Sequence, residues 1–86
     1  MPMIDMKIAF ALAQGFTPSA RKKVGYTILE KNRVELQLNE RRGVFVKNAP
    51  AHLAVRHGLK LHVNGGKALY IPKRSLRAFV EIVRGA

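Results

Sequence analysis

The chain has no cysteine and no tryptophan, and only five of its 86 residues are acidic, against sixteen Lys or Arg. Without cysteine there is no disulfide framework, no thiolate nucleophile and no Cys-based zinc site. The five carboxylates, Asp5, Glu30, Glu35, Glu40 and Glu81, form no recognisable pair for acid–base work, and no Gly-rich phosphate loop of the Walker type is present. Neither an enzyme nor a cofactor is expected. The longest unbroken apolar run, Ile8–Ala13, falls far short of the ~18 residues that suggest a membrane-spanning helix. It is also too short for a secretory leader, and Asp5 stands where a leader would be basic, so the expected location is a bacterial-type cytoplasm or nucleoid.

What the chain does have is charge of one sign. Its formal net charge is +11 and its pI about 11.1, while 48% of its residues are hydrophobic, enough to fold rather than stay disordered. The length fits one small domain, residues 1–86, whose thin core makes a homodimer the natural remedy. Self-repulsion in such a domain is relieved by an anionic partner, most simply the phosphates of a nucleic acid. The charge is also concentrated, because Arg41–Val80 holds nine Lys or Arg and no Asp or Glu over forty consecutive residues. A solvated surface normally mixes signs, and this stretch does not.

Near the N-terminus, Ile4, Ile8, Ala11 and Leu12 recur at helical spacing with Gly15 as a stop, although the same residues also suit a strand. "FTPSARKK" then offers Thr17 as N-cap and Pro18 at the first helical position, starting a second helix that Gly25 would interrupt. Beyond it β chemistry dominates. Tyr26 and Ile28, then Val34, Leu36 and Leu38, alternate with polar residues around a turn at Lys31–Asn32. Val34–Leu38 and Val44–Lys47 flank the loop "NERRG", with Gly43 as the residue that takes positive φ. "NAPAHLAVRHG" reads as a helix of about two turns, with Asn48 as N-cap and Gly58 as stop.

Leu59–Ile71 is the clearest hairpin, and parity decides what it shows to solvent. A three-residue loop, Asn64–Gly66, buries Leu59, Leu61, Val63, Leu69 and Ile71 on one face and turns Lys60, His62 and Tyr70 outward together. A two-residue loop would expose Leu69 and Ile71, each worth ~1.5–3 kcal/mol when buried, so the longer loop is expected. Pro72 then opens a C-terminal helix whose apolar stripe is Leu76, Phe79, Val80 and Val83, with Lys73, Arg74, Arg77 and Arg84 on a neighbouring arc beside Glu81. The expected fold is α+β: an antiparallel sheet of about four strands, in hairpins, packed by the C-terminal helix, with a further helix near the N-terminus.

The expected function is nucleic-acid binding, DNA before RNA, by a homodimer in a regulatory or genome-packaging role, with no membrane contact. Candidate contacts are Arg41, Arg42, Lys47, Arg56, Lys60, His62, Lys67, Tyr70, Lys73, Arg74 and Arg77. Lys and Arg would neutralise phosphates, while Tyr70 would stack on bases, joined by Phe45 if the "NERRG" loop turns it outward. His52, His57 and His62 are spaced by five, which matches no common metal motif, so no metal is expected. The alternative is a small basic protein-interaction module or inhibitor that docks on an acidic protein surface.

Three binding geometries fit parts of the chain. In a helix-turn-helix, Ala11 and Gly15 stand at the right separation and Thr17–Lys23 would begin the recognition helix, against which Arg21 occupies a position that should be apolar. "GVFVKNAPAHLAVRHGLKLHVNGGKALYI", about a third of the chain, resembles the strand–helix–strand–strand order of AbrB-like swapped-hairpin regulators, without their Gly-Asp turn. The strands leading into "ALYIPKRSLRAFVEIV" are similar in element order to the Whirly and transcriptional-coactivator class, a resemblance that implies a curved sheet holding single strands.

Overall fold

Six strands and three helices form two layers in the computed structural model, which describes residues 3–49, 51–57, 61–63 and 67–86, with the backbone alone for Met3, Ala51, Ala54, 61–63 and Lys67. The order is α1 (Met3–Ala13), β1 (Thr17–Pro18), β2 (Thr27–Lys31), β3 (Val34–Asn39), β4 (Gly43–Lys47), α2 (Ala51–His57), β5 (Leu61–Val63), β6 (Lys67–Ile71) and α3 (Leu76–Arg84). All pairs are antiparallel, in the sheet order β1-β2-β3-β4-β6-β5. The α+β arrangement is the expected one, with more strands than the four expected. No helix among the described residues is long and apolar enough to cross a membrane.

The stop at Gly15 works as a C-terminal helix cap. Gly15 takes φ 97°, its N–H donates to the Leu12 carbonyl at 3.1 Å, and the Phe16 N–H reaches the Ala11 carbonyl at 3.0 Å. This is the Schellman pattern, and its usual hydrophobic contact is present because Phe16 and Ala11 are both buried. The last turn of α1 has no basic residue of its own; Lys31 supplies one from β2, its Nζ donating to the Gln14 carbonyl at 2.7 Å.

The cap also overturns the second helix expected at Thr17. With Phe16 anchored in the core, the chain leaves extended, and Thr17 and Pro18 pair with Glu30 and Leu29 at the sheet edge, where a proline is tolerated. A helix-turn-helix is therefore not the arrangement of this segment. The β2–β3 turn is Asn32–Arg33, one residue later than expected, with positive φ at both (48° and 72°) as a tight hairpin requires. Arg33 holds this conformation with its carbonyl fixed by the Asn48 side-chain amide at 2.9 Å. Asn48 is thus occupied away from α2, which begins at Ala51.

The β3–β4 loop is ordered by Asn39, whose Oδ1 accepts the backbone N–H groups of Arg41 and Arg42 at 2.9 and 2.8 Å. Gly43 closes it at φ 112°, and a Cβ there would stand 2.6 Å from the Ile71 carbonyl oxygen. Gly43→Ala is expected to cost roughly 1–3 kcal/mol or more, because backbone strain and a backbone clash coincide. Chemical denaturation would measure it, and a change within about 0.5 kcal/mol, the range of an ordinary surface substitution, would contradict the strain.

The β5–β6 register, Val63 opposite Lys67 and Leu61 opposite Leu69, leaves three residues between the strands, as parity required. The loop Asn64–Gly66, together with Gly58, Leu59 and Lys60, lies outside the described residues. Leu69 and Ile71 are buried and Tyr70 projects from the other face. On α3 the buried stripe is Ala78, Phe79, Ile82 and Val83, rotated from the expected one so that Leu76 is exposed and Val80 only half-buried. Pro72 lies before the helix, in a turn where Ser75 N–H donates to the Pro72 carbonyl at 3.0 Å. All three helices feed one core, in which Ala11, Leu53, Phe79 and Ile82 meet Leu29, Leu36, Leu38, Val44, Val46, Leu69 and Ile71.

Candidate nucleic-acid interface

Cross-strand partners share a face, so the register separates two sets of side chains. Leu29, Leu36, Val46 and Leu69 form a row toward the helices, and so do Leu38, Val44 and Ile71. The alternate row, Ile28, Gln37, Phe45 and Tyr70, points away from them. Ile28 and Phe45 are buried yet stand outside the core cluster. Tyr26 and Ile28 therefore belong to the outer face, and Leu29 takes the core place in β2.

An aromatic file runs across this outer face. The Phe45 ring lies 5.1 Å from Tyr70 and 6.3 Å from Tyr26, both tilted, and is itself only 8% exposed. The Arg42 guanidinium sits 5.1 Å from the Phe45 centroid. Its Nη1 donates to the Tyr26 hydroxyl at 3.0 Å, and the Arg42 carbonyl accepts the Tyr70 hydroxyl at 2.6 Å. Three aromatic side chains from three parts of the chain thus fix one exposed arginine. Arg42 is exposed and its one side-chain hydrogen bond among the described residues is to Tyr26, which leaves four of its five N–H donors for solvent or a ligand. Arg41, Arg42, Phe45 and Tyr70 together line a cavity of about 250 Å³.

Further cations border the file. Lys23 Nζ lies 4.5 Å from the Tyr26 centroid. One row along, Glu35 is opposite Lys47, and Arg21 reaches across to bind both Glu35 oxygens at 2.9 and 3.1 Å. Gln37 also donates to Glu35, at 2.8 Å, so this buried carboxylate is fully engaged, while the same row carries two charges without an ion-pair partner among the described residues, Lys47 and the exposed Glu30 opposite Glu35. A second cleft, of about 470 Å³, continues from there past Arg21, Lys47 and Arg33.

The residues proposed from the sequence do not all converge. Arg41, Arg42, Lys47 and Tyr70 meet on the outer face. Arg56 lies on α2 and is paired with Glu81 at 2.6 Å, and Arg77 is exposed on α3, so both belong to the helical layer. Lys73 and Arg74 are exposed in the turn between β6 and α3. Lys60 and the side chains of His62 and Lys67 lie outside the described residues, although the backbone of His62 is opposite Ala68. His57 is held by Glu81, Nε2 to Oε2 at 2.8 Å. Sequence reasoning missed Arg21 and Lys23, having read that segment as the start of a helix, and it placed Tyr26 in a strand pattern without assigning it to the site; the alternation at Tyr26 and Ile28 was the available signal.

Comparison with known proteins finds no family model that matches the chain, and no curated protein or solved structure similar to it.

Proposed function

We infer that the protein binds single-stranded nucleic acid on the helix-free face of its sheet. The observation that carries this is the arginine held among three aromatic side chains. A guanidinium held over the Phe45 ring offers an unpaired base a cationic surface to stack on, and its remaining donors can reach phosphate or base edges. Tyr70, half-buried beside it, extends the platform.

Width argues for a single strand over a duplex. Six strands at ~4.8 Å spacing span roughly 24 Å, whereas the major groove of B-form DNA is ~12 Å wide and admits a helix or a two-stranded ribbon. Splayed bases can instead lie on a flat face. This favours a regulatory or strand-handling role over duplex packaging, with DNA the expected strand. The homodimer remains part of the proposal: Met6, Leu12 and Val55 are exposed apolar side chains on the helices, away from the ligand face, where a second copy would cover them.

Fluorescence anisotropy with a labelled oligonucleotide as single-stranded DNA, as RNA and as duplex tests the reading. Tighter binding of a single strand than of the duplex is expected. Failure to bind any of the three at low salt would sink it and leave docking on an acidic protein surface as the alternative.

A further inference from the structure

Lys7 is a buried cation on a helix that packs against the core. Only 6% of it is exposed, its Nζ lies 5.7 Å from the Phe79 ring centroid, and its hydrogen bond is a long one, 3.3 Å to the Lys73 carbonyl. An ammonium has three donors. No carboxylate stands within ion-pair distance of it among the described residues. Burial, and then the positive charge of Lys73, hold Lys7 below the usual lysine range.

Beside these amines is a cavity of about 140 Å³, lined by Lys7 and Lys73 with Ile4, Leu38, Gly43 and Val44, and by Asn39 and Glu40 at the β3–β4 loop. That is roughly ten times the ~10–15 Å³ that admits one water. Glu40 lines the same cavity but is exposed to solvent and forms no ion pair with either lysine, so the buried Lys7 ammonium has no carboxylate in contact with it among the described residues. We propose that this cavity binds a phosphate-sized oxyanion, free or as a terminal phosphate ester, between the ammonium groups of Lys7 and Lys73. The oxyanion accepts the N–H donors that the Lys73 carbonyl leaves over and offsets the buried charge. The site is separate from the aromatic face and does not depend on the nucleic-acid reading.

The sign of the pH effect follows. A lysine with a lowered folded pKa subtracts stability while it is protonated, and that loss disappears as pH rises toward the ordinary value of 10.5. Oxyanion binding should therefore fade as alkali removes the Lys7 proton.

Thermal unfolding at neutral pH with inorganic phosphate, against chloride of equal ionic strength, tests the site. Phosphate at ten times its dissociation constant should raise the Tm of the unmodified protein by roughly 5–10 °C. Lys7→Met and Lys73→Met should remove that increment, while Arg77→Met retains it. Lys7→Met should also start from a higher Tm without phosphate; Lys73→Met, at an exposed position, keeps the test readable if Lys7→Met does not fold. Acetylation of the Lys7 amine, read by peptide mass, should slow in phosphate. Protection by a 5′-phosphorylated dinucleotide and not by its unphosphorylated counterpart would assign the site to phosphate esters; protection by inorganic phosphate alone would assign it to the free ion. Equal Tm increments in the unmodified protein and both lysine variants, or unchanged acetylation of Lys7, would overturn the proposal.

Discussion

A rise in salt from about 50 to about 200 mM is expected to weaken single-strand binding by roughly 10². Five cations border the outer face without a carboxylate partner among the described residues: Lys23, Arg33, Arg41, Arg42 and Lys47. Arg21 is left out because Glu35 already holds it. Each phosphate contact with a single strand releases counterion worth a slope of about −0.7, so five give about −3.5, and a fourfold rise in salt then costs about two decades of affinity. Stacking alone would leave the affinity nearly flat in salt. A slope shallower than about −1 would mean that these cations do not contact the backbone.

Leu69→Ala is expected to cost about 2–5 kcal/mol of folding free energy, whereas Tyr70→Phe, one residue along the same strand, should cost about 1 kcal/mol or less. Leu69 is 2% exposed and opposite Val46 in the core, so truncation leaves a cavity among packed neighbours. Tyr70→Phe keeps the ring on Phe45 and removes only the hydrogen bond to the Arg42 carbonyl. Tyr70→Ala removes the platform as well and should lose ~1–3 kcal/mol of binding, the usual effect of one stacked base. Urea denaturation and anisotropy would read the two effects separately. A harmless Leu69→Ala beside an unfolded Tyr70→Ala would reverse the two faces of the sheet.

Those faces were legible in the sequence because parity is a local constraint. Burying both Leu69 and Ile71 required three residues between Val63 and Lys67, and the register has three. Gly15 and Gly43 were legible for a similar reason, since each backbone conformation favours a residue without a side chain. Thr17 and Pro18 misled because a hydroxyl before a proline suits a helix start and a sheet edge equally; burial of Phe16 decided between them, and that is a tertiary fact. The acid-free window failed as a guide to one surface for a related reason. Alternate residues along its strands face opposite ways, and Glu81, just beyond its end, folds back onto Arg56 and His57. The setting of Arg42 could not be read at all, because Tyr26, Phe45 and Tyr70 come together only through the pairing of β2, β3, β4 and β6.

The outer face can be separated from mere net charge by removing the same charge from either side of the molecule. Arg41→Ala with Arg42→Ala strips the aromatic face of two cations, and Arg77→Ala with Arg84→Ala strips the exposed side of α3 of two. Anisotropy with single-stranded DNA at fixed salt should show the first pair losing roughly tenfold or more in affinity, since stacking and phosphate contacts go together, and the second losing about threefold or less. Equal losses in the two double variants, or a greater loss from the α3 pair, would contradict binding on the sheet face.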